Sequence, residues 1–480
     1  MSVHLIGLVA AAPEPVGDAA LTAANSAWLL ASSALVLLMT PGLAFFYGGM
    51  TRAKSTLNMI MMSFSAIGIV SVIWVIYGYS LAFAPDKKAG LIGNLSIRFL
   101  HNETQASVTN HLYDYVFIAF QLMFAIITLA LISGAVADRM KFSAWIAFSI
   151  AWISLVYFPV AHWVFAFGVP APTDATGAYT GPVGNGNAYG FIKGTGGWIV
   201  SKLGALDFAG GTAVHINAGA AGLALCLVLG VRKGFRKDAM RPHNLPLVMI
   251  GTGMLWFGWF GFNAGSALVA NGLAGLAFVN TQVATAAALC GWLIVERIRD
   301  GHFTTLGAAS GAVAGLVAIT PACGSVSPSG AIALGGIAGA ICCLAISLKN
   351  KFGFDDALDV VGVHLVGGLV GTLLIGFLAT DASTGVKTLR GIFYGGGASQ
   401  LGKQAIAAFS VMFYSFFVTL IIALILKYTM GLRITEEQEI TGIDQTIHAE
   451  SAYEFAGLGT AGSGSLAGAP TAPSQVKVHS

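Results

Sequence analysis

The chain has 480 residues, of which 56% are hydrophobic and only 9% are Asp, Glu, Lys or Arg. Soluble domains carry about 25% charged residues, so this composition, with a mean hydropathy of +0.78, excludes a water-soluble fold and leaves a polytopic membrane protein. A net charge of +3 without a long basic run gives no footprint for nucleic acid.

Residues 1–26 begin with a short apolar run, Leu5 to Ala12, that no Lys or Arg precedes. It lacks the cationic start of a signal peptide, and 1–26 is expected to be an extracellular N-terminal segment. A hydrocarbon core of about 30 Å asks for about 20 apolar residues per helix. On that criterion eleven segments are expected to cross: 27–49, 56–84, 112–137, 143–168, 209–231, 247–268, 275–295, 306–324, 329–348, 360–379 and 405–427. They define an all-α membrane domain over 27–427. Basic residues concentrate at 52–54, 139–141, 232–241, 297–299, 349–351 and 427–433, in alternate loops, which places the N-terminus outside and the C-terminus in the cytoplasm. Segment 428–455 is polar and cytoplasmic; 456–480 is rich in Gly, Ala, Ser and Pro, almost uncharged, and expected to be disordered. The five cysteines, Cys226, Cys290, Cys323, Cys342 and Cys343, lie in apolar stretches with no CxxC pair, which points to neither a disulfide framework nor a zinc site.

An internal repeat links the fifth and tenth segments. Val214-His215 is followed by Gly219 and Gly222, and Val363-His364 by Gly368 and Gly371, so both read VHxxxGxxG. An acidic residue stands at each entry, Asp207 and Asp359. Five helices separate the copies and an odd number reverses direction, so segments one to five and six to ten form an inverted repeat around a central pore. Small-residue spacing also arises from close helix packing alone, but packing does not require a His. Ionisable groups at membrane depth point to transport or a proton relay, which makes His215 and His364 the candidate pore pair. A metal site would need more ligands than Asp207 and Asp359 offer at the ends. Asp207 is expected to accept amide hydrogens at the start of the fifth helix and to favour cations in the pore electrostatically.

The stretch DFAGGTAVHINAGAAGLALCLVLGVR from Asp207 to Arg232 resembles the signature of the Amt/Mep/Rh family of ammonium transporters. So do GLAFFYGGMTRAKS near residue 42, FGWFGFNAGSA near 257, ITPACG near 319 and DVVGVH from Asp359. The similarity runs from about Asn25 to Tyr453. It implies an eleven-helix homotrimer in the plasma membrane, with a pore in each subunit that moves ammonium or ammonia and takes methylammonium as an analogue. It implies no cofactor, no metal and no enzymatic step. The family's paired pore histidines match His215 and His364, its acidic residue below the outer vestibule matches Asp207, and its stacked pore gate matches Phe124 and Phe262. Its outer recruitment site matches Phe124 and Ser266, with Phe165 at the position of the family's tryptophan. Trp163 lies two residues earlier, about 200° around a helix. Phe is a weaker cation-π partner than Trp, so recruitment affinity is the property this departure touches. Gln121, Trp259 and Thr320 sit in matching motifs without an assigned role. Segment 428–455 resembles the family's regulatory C-terminal region, where a PII-type signalling protein docks.

Two other classes are weaker. A membrane-embedded enzyme would need a nucleophile or metal cluster. A sensor would need a fused cytoplasmic signalling domain.

Overall fold

The structure, a computed structural model, describes residues 17–86, 89–167, 196–386 and 388–453. The expectations for the start of the N-terminal segment and for the tail beyond 453 fall outside them.

Ten described helices are long and apolar enough to cross a membrane: α1 (Asp18–Met50), α2 (Ala53–Phe83), α3 (Asp114–Val136), α4 (Phe142–Phe165), α5 (Gly211–Leu229), α6 (Leu245–Gly265), α7 (Gly272–Asp300), then, after a shorter α8 (Thr305–Ile319), α9 (Pro328–Phe352), α10 (Val361–Leu378) and α11 (Ser399–Thr429). The protein is thus a helical polytopic membrane protein. Helix α8 has 15 residues, a rise of about 22 Å. It stops short of the expected segment 306–324 because Pro321 has no N–H to continue the ladder. From Gly311 to Ile319 it is buried among the other helices. One departure from an all-helical chain is a two-stranded hairpin, β1 (Val108–Thr109) with β2 (Leu112–Tyr113).

Helix α1 starts well before residue 27. Its polar first turns are held by side chains, with Thr22 Oγ1 donating to the Asp18 carbonyl at 2.8 Å and Asn25 Nδ2 to the His111 carbonyl at 3.0 Å. Glycine lets the helices approach closely, as membrane packing favours. A methyl at Gly251 on α6 would stand 2.4 Å from the Phe46 amide nitrogen on α1, and one at Gly371 on α10 would stand 1.9 Å from the Ala318 carbonyl on α8. Phe409, Phe413, Phe417, Ile421 and Ile425 repeat every four residues along α11 and stay exposed, a face built for lipid or another apolar partner.

At the end of the bundle that carries most of the basic clusters, charges interlock. Arg232 forks onto Asp355, with Nε and Nη2 each at 2.8 Å from a carboxylate oxygen, and its Nη1 reaches Asp138 at 3.2 Å. Asp138 also accepts from Arg52 Nε at 3.1 Å. Segment 430–453 packs onto this end. A short helix, α12 (Glu436–Thr441), opens with a Thr435–Gln438 capping box. Buried Glu439 accepts from Arg433 Nη2 at 2.7 Å, and Asp444 accepts the amides of Leu57 and Asn58 at 2.9 and 2.8 Å. His448 Nε2 lies 3.0 Å from Asn58 Oδ1, and the Tyr453 hydroxyl 2.9 Å from His243 Nε2.

Candidate functional site

The sequence-predicted residues converge on the interior where α3, α4, α5, α6 and α10 meet. Phe124 (α3) and Phe262 (α6) stack with ring centroids 4.1 Å apart and planes inclined by 23°. Phe262 stands 6.2 Å from the His215 ring on α5, and His215 lies 5.3 Å from the His364 ring on α10 at 23°. All four side chains are buried. They form one file of rings, two phenyls followed by two imidazoles.

The two histidines face each other through Nδ1 at 3.2 Å. Each sits in a widened π-type turn, Gly211–Ile216 in α5 and Val361–Leu365 in α10. Such single turns inside α-helices re-aim side chains and recur at functional sites. In α5 the turn begins against Pro321, and only a hydrogen fits at Gly211, where a methyl would lie 2.5 Å from the proline ring. His215 Nε2 is buried without a hydrogen-bond partner among the described residues. A buried polar atom in that state is uncommon and asks for a ligand or water.

Asp207 is buried and works as a cap. Its Oδ1 accepts from the amides of Gly210 and Gly211 at 2.8 and 2.6 Å, and its Oδ2 from the Thr212 amide at 2.7 Å and the Thr212 hydroxyl. These amides open the helix that carries His215, where orphan donors and the helix dipole favour a carboxylate. Its counterpart in the second half is not Asp359. Asp356 takes that position, with its two carboxylate oxygens accepting from Val360 at 3.0 Å and Val361 at 2.7 Å. Asp359 instead pairs with Lys349 at 2.6 Å. The difference is one of register: Asp356 precedes His364 by the same spacing that separates Asp207 from His215, whereas the acidic residue read from the sequence at the entry of the second helix is Asp359.

Phe165 meets Phe124 edge to face at 6.0 Å. Ser266 caps the end of α6, with Oγ donating to the Phe262 carbonyl at 2.8 Å, one turn beyond the stacked ring. Trp163 points elsewhere, against Tyr414 at 4.7 Å and Trp198 at 5.8 Å, with its indole N–H on the Leu91 carbonyl. Trp259 lies nearly parallel to His215, at 5.4 Å and 16°, and its Nε1–H donates to Thr320 Oγ1 at 2.9 Å. Gln121 is buried one turn before Phe124, with Oε1 unpartnered among the described residues.

One buried histidine escaped sequence reasoning. His162 on α4 lies 2.8 Å through Nδ1 from the Ala82 carbonyl and 3.9 Å through Nε2 from Asp86. It ties the loop after α2 to the helix that carries Phe165. The AHW context gave no signal beyond an apolar neighbourhood. Among the described residues no group of three or more His, Cys, Asp or Glu could hold a metal.

Residues 27–453 match the Ammonium Transporter Family. An ammonium transporter of Mycobacterium bovis is 58% identical over 452 residues, covering 90% of each chain. One of Bacillus subtilis is 46% identical over 423 residues, covering 88% of this chain and 96% of the relative. The crystal structure of Saccharomyces cerevisiae Mep2 matches the fold with a TM-score of 0.75 at 34% identity, covering 86% of this chain and 88% of that one. The chain therefore belongs to the ammonium transporter family and is a transport protein rather than an enzyme.

Proposed function

We propose that the file Phe124, Phe262, His215 and His364 is the pore of an ammonium transporter, and that ammonium is recruited, deprotonated and passed along it as ammonia. The observation that carries the reading is the uninterrupted file of rings in which one imidazole nitrogen, His215 Nε2, is buried without a partner among the described residues.

The energetics favour deprotonation. Moving a bare cation into hydrocarbon costs tens of kcal/mol by a Born estimate. Amino-type groups titrate at roughly 8 to 10, so releasing the proton at pH 7 costs only ~1–5 kcal/mol. Phe124, Phe165 and Ser266 then form the outer recruitment site, where ring faces and a hydroxyl oxygen hold a cation. Phe124 and Phe262 form an apolar constriction that sheds its water. Beyond it, neutral ammonia takes hydrogen bonds from the His pair. A cation on one ring repels a cation on the other at this distance. The pair therefore suits a proton hop, with a proton entering one ring as another leaves through the shared Nδ1 contact.

The topology that fits is eleven crossings, α8 included, with the N-terminus outside and the C-terminus in the cytoplasm, the two halves forming an inverted repeat. Two equivalent Asp caps and two equivalent π-type turns support that repeat. On this reading residues 27–427 are the transport domain and 428–455 a cytoplasmic regulatory region open to a PII-type protein. The working unit is a homotrimer in the plasma membrane.

The test is current across proteoliposomes on an ammonium pulse at several pH values, with wild type, His215→Ala and His364→Ala. Wild type should give current together with uptake, and each variant should lose the current. Unchanged uptake and charge movement after His215→Ala would refute the relay. Flux without current in wild type would make this an electroneutral ammonia channel.

A further inference from the structure

On the side of His364 away from Phe262 the structure encloses a small cavity, lined in part by Phe46, Tyr47, Ser310, Val313, Asp359 and His364. The free volume for a water-sized centre is ≈ 10 Å³, room for about one such molecule. Asp359 supplies the charged group on its wall. The residue adopts a left-handed backbone with φ of 63°, a conformation uncommon for a side chain other than glycine. Its carboxylate is held by Lys349, with Nζ and Oδ1 2.6 Å apart, and the same Nζ donates to the Asp356 carbonyl at 3.1 Å. Both side chains are about four-fifths shielded, with 20% and 22% exposed.

A lysine head group and an ammonium ion belong to one chemical class, a hydrated point cation whose only polar capacity is N–H donation. A bare carboxylate at a one-molecule cavity would collect such cations, because rings of one sign in a narrow mouth concentrate the opposite charge. Here the place is already taken, by a cation tethered to α9.

We propose that Lys349 is the resident counter-ion of the pore's inner mouth. Its ammonium occupies Asp359 as a free ammonium ion would. The mouth, its carboxylate neutralised by Lys349, therefore does not collect cations approaching from that side and lets neutral ammonia leave without meeting a trap. The inference rests on the transport reading given above and adds to it a device that protects uptake from the product already inside.

The test uses proteoliposomes of the full chain, sorted for orientation and preloaded with ammonium at the Asp359 side, with labelled methylammonium uptake as the readout. Wild type and Lys349→Arg should tolerate the preload. In Lys349→Met the half-inhibitory internal ammonium concentration should fall by about tenfold, the order of effect of removing one unit charge from a partly screened site. Adding Asp359→Asn to Lys349→Met should restore tolerance, and this double variant leaves no unpaired charge to destabilise the fold. Wild-type tolerance in a folded Lys349→Met variant overturns the proposal, as does equal sensitivity in the single and double variants. Absence of flux in wild type itself would overturn the transport reading instead.

Discussion

His215 and His364 approach through like atoms, Nδ1 to Nδ1, at 3.2 Å. Two lone pairs cannot face each other at that distance, so in the neutral pair one Nδ1 carries the hydrogen and the other accepts it. The ring that donates through Nδ1 then has a bare Nε2, and the ring that accepts has an Nε2–H. The pair therefore presents an acceptor on one ring and a donor on the other; uptake of a proton at the bare Nε2, transfer across the Nδ1 contact and loss of the other ring's Nε2 proton reverse the two. A single histidine could line a pore. On the proposed relay, only a pair in this contact lets a proton pass from one ring to the other.

Trp259 holds the His215 ring in place. Its indole covers the His215 ring at 16° and is fixed by the hydrogen bond to Thr320, whose hydroxyl in turn donates to the Leu316 carbonyl at 2.7 Å. Thr320→Val keeps the shape and removes the acceptor. It leaves a buried N–H unpaired, a loss of ~1–3 kcal/mol, and frees the indole to tilt. The melting temperature in detergent and the methylammonium uptake rate should both fall, and Thr320→Ser should keep both. Equal behaviour of Val and Ser would show that the hydroxyl does not hold the ring.

The two caps should be unequal. Asp207 satisfies three amides and a hydroxyl, whereas Asp356 satisfies two amides. Losing a helix cap costs ~0.5–2 kcal/mol, and buried charge-assisted bonds lie at the upper end. Asp207→Ala should therefore lower the melting temperature most, Asp356→Ala less, and Asp359→Asn least. An order that puts Asp359→Asn first would contradict the assignment of Asp356 as the second cap.

That assignment also marks where the sequence was legible and where it was not. Apolar run length located the helices because a membrane imposes one length on all of them. It misjudged α1, whose polar start at Asp18 is held by the helix's own Thr22 and Asn25 side chains, and α8, cut short by Pro321. The twin histidines were legible because the VHxxxGxxG repeat sets them at equivalent positions of two segments. The twin aspartates were only half legible, since two carboxylates compete in DALD and hydrogen bonding to Val360 and Val361 decides between them. His162 and the indole against His215 were illegible, because an apolar context says nothing about which ring meets which.

The tail should behave as a part of the folded end rather than as a solvated appendage. Asp444 caps the start of α2 through Leu57 and Asn58, and Glu439 meets Arg433 and lies 3.9 Å from Arg52. Asp444→Ala removes the cap, worth ~0.5–2 kcal/mol, and should expose 430–453 to limited proteolysis while uptake declines. Deletion from 428 should reduce uptake, whereas deletion from 456 should leave it unchanged. Equal uptake after the two deletions would show that the docked segment carries no function.

Phe165 gives the most direct reading of affinity. The ring meets Phe124 edge to face at 6.0 Å, and its tip lies 3.0 Å from the place a methyl on Gly210 would fill. The space around it is thus shaped partly by a glycine next to the Asp207 cap, whose φ of 105° disfavours any side chain. An indole offers a stronger cation-π surface than a phenyl, a gain of ~0.5–1 kcal/mol. Phe165→Trp should therefore lower the half-saturating methylammonium concentration about two- to fivefold, since 1.4 kcal/mol is tenfold. The maximal rate should stay the same, because the stacked Phe124 and Phe262 and the His pair are untouched. A change in maximal rate without a change in half-saturation would place Phe165 in the constriction and remove it from recruitment.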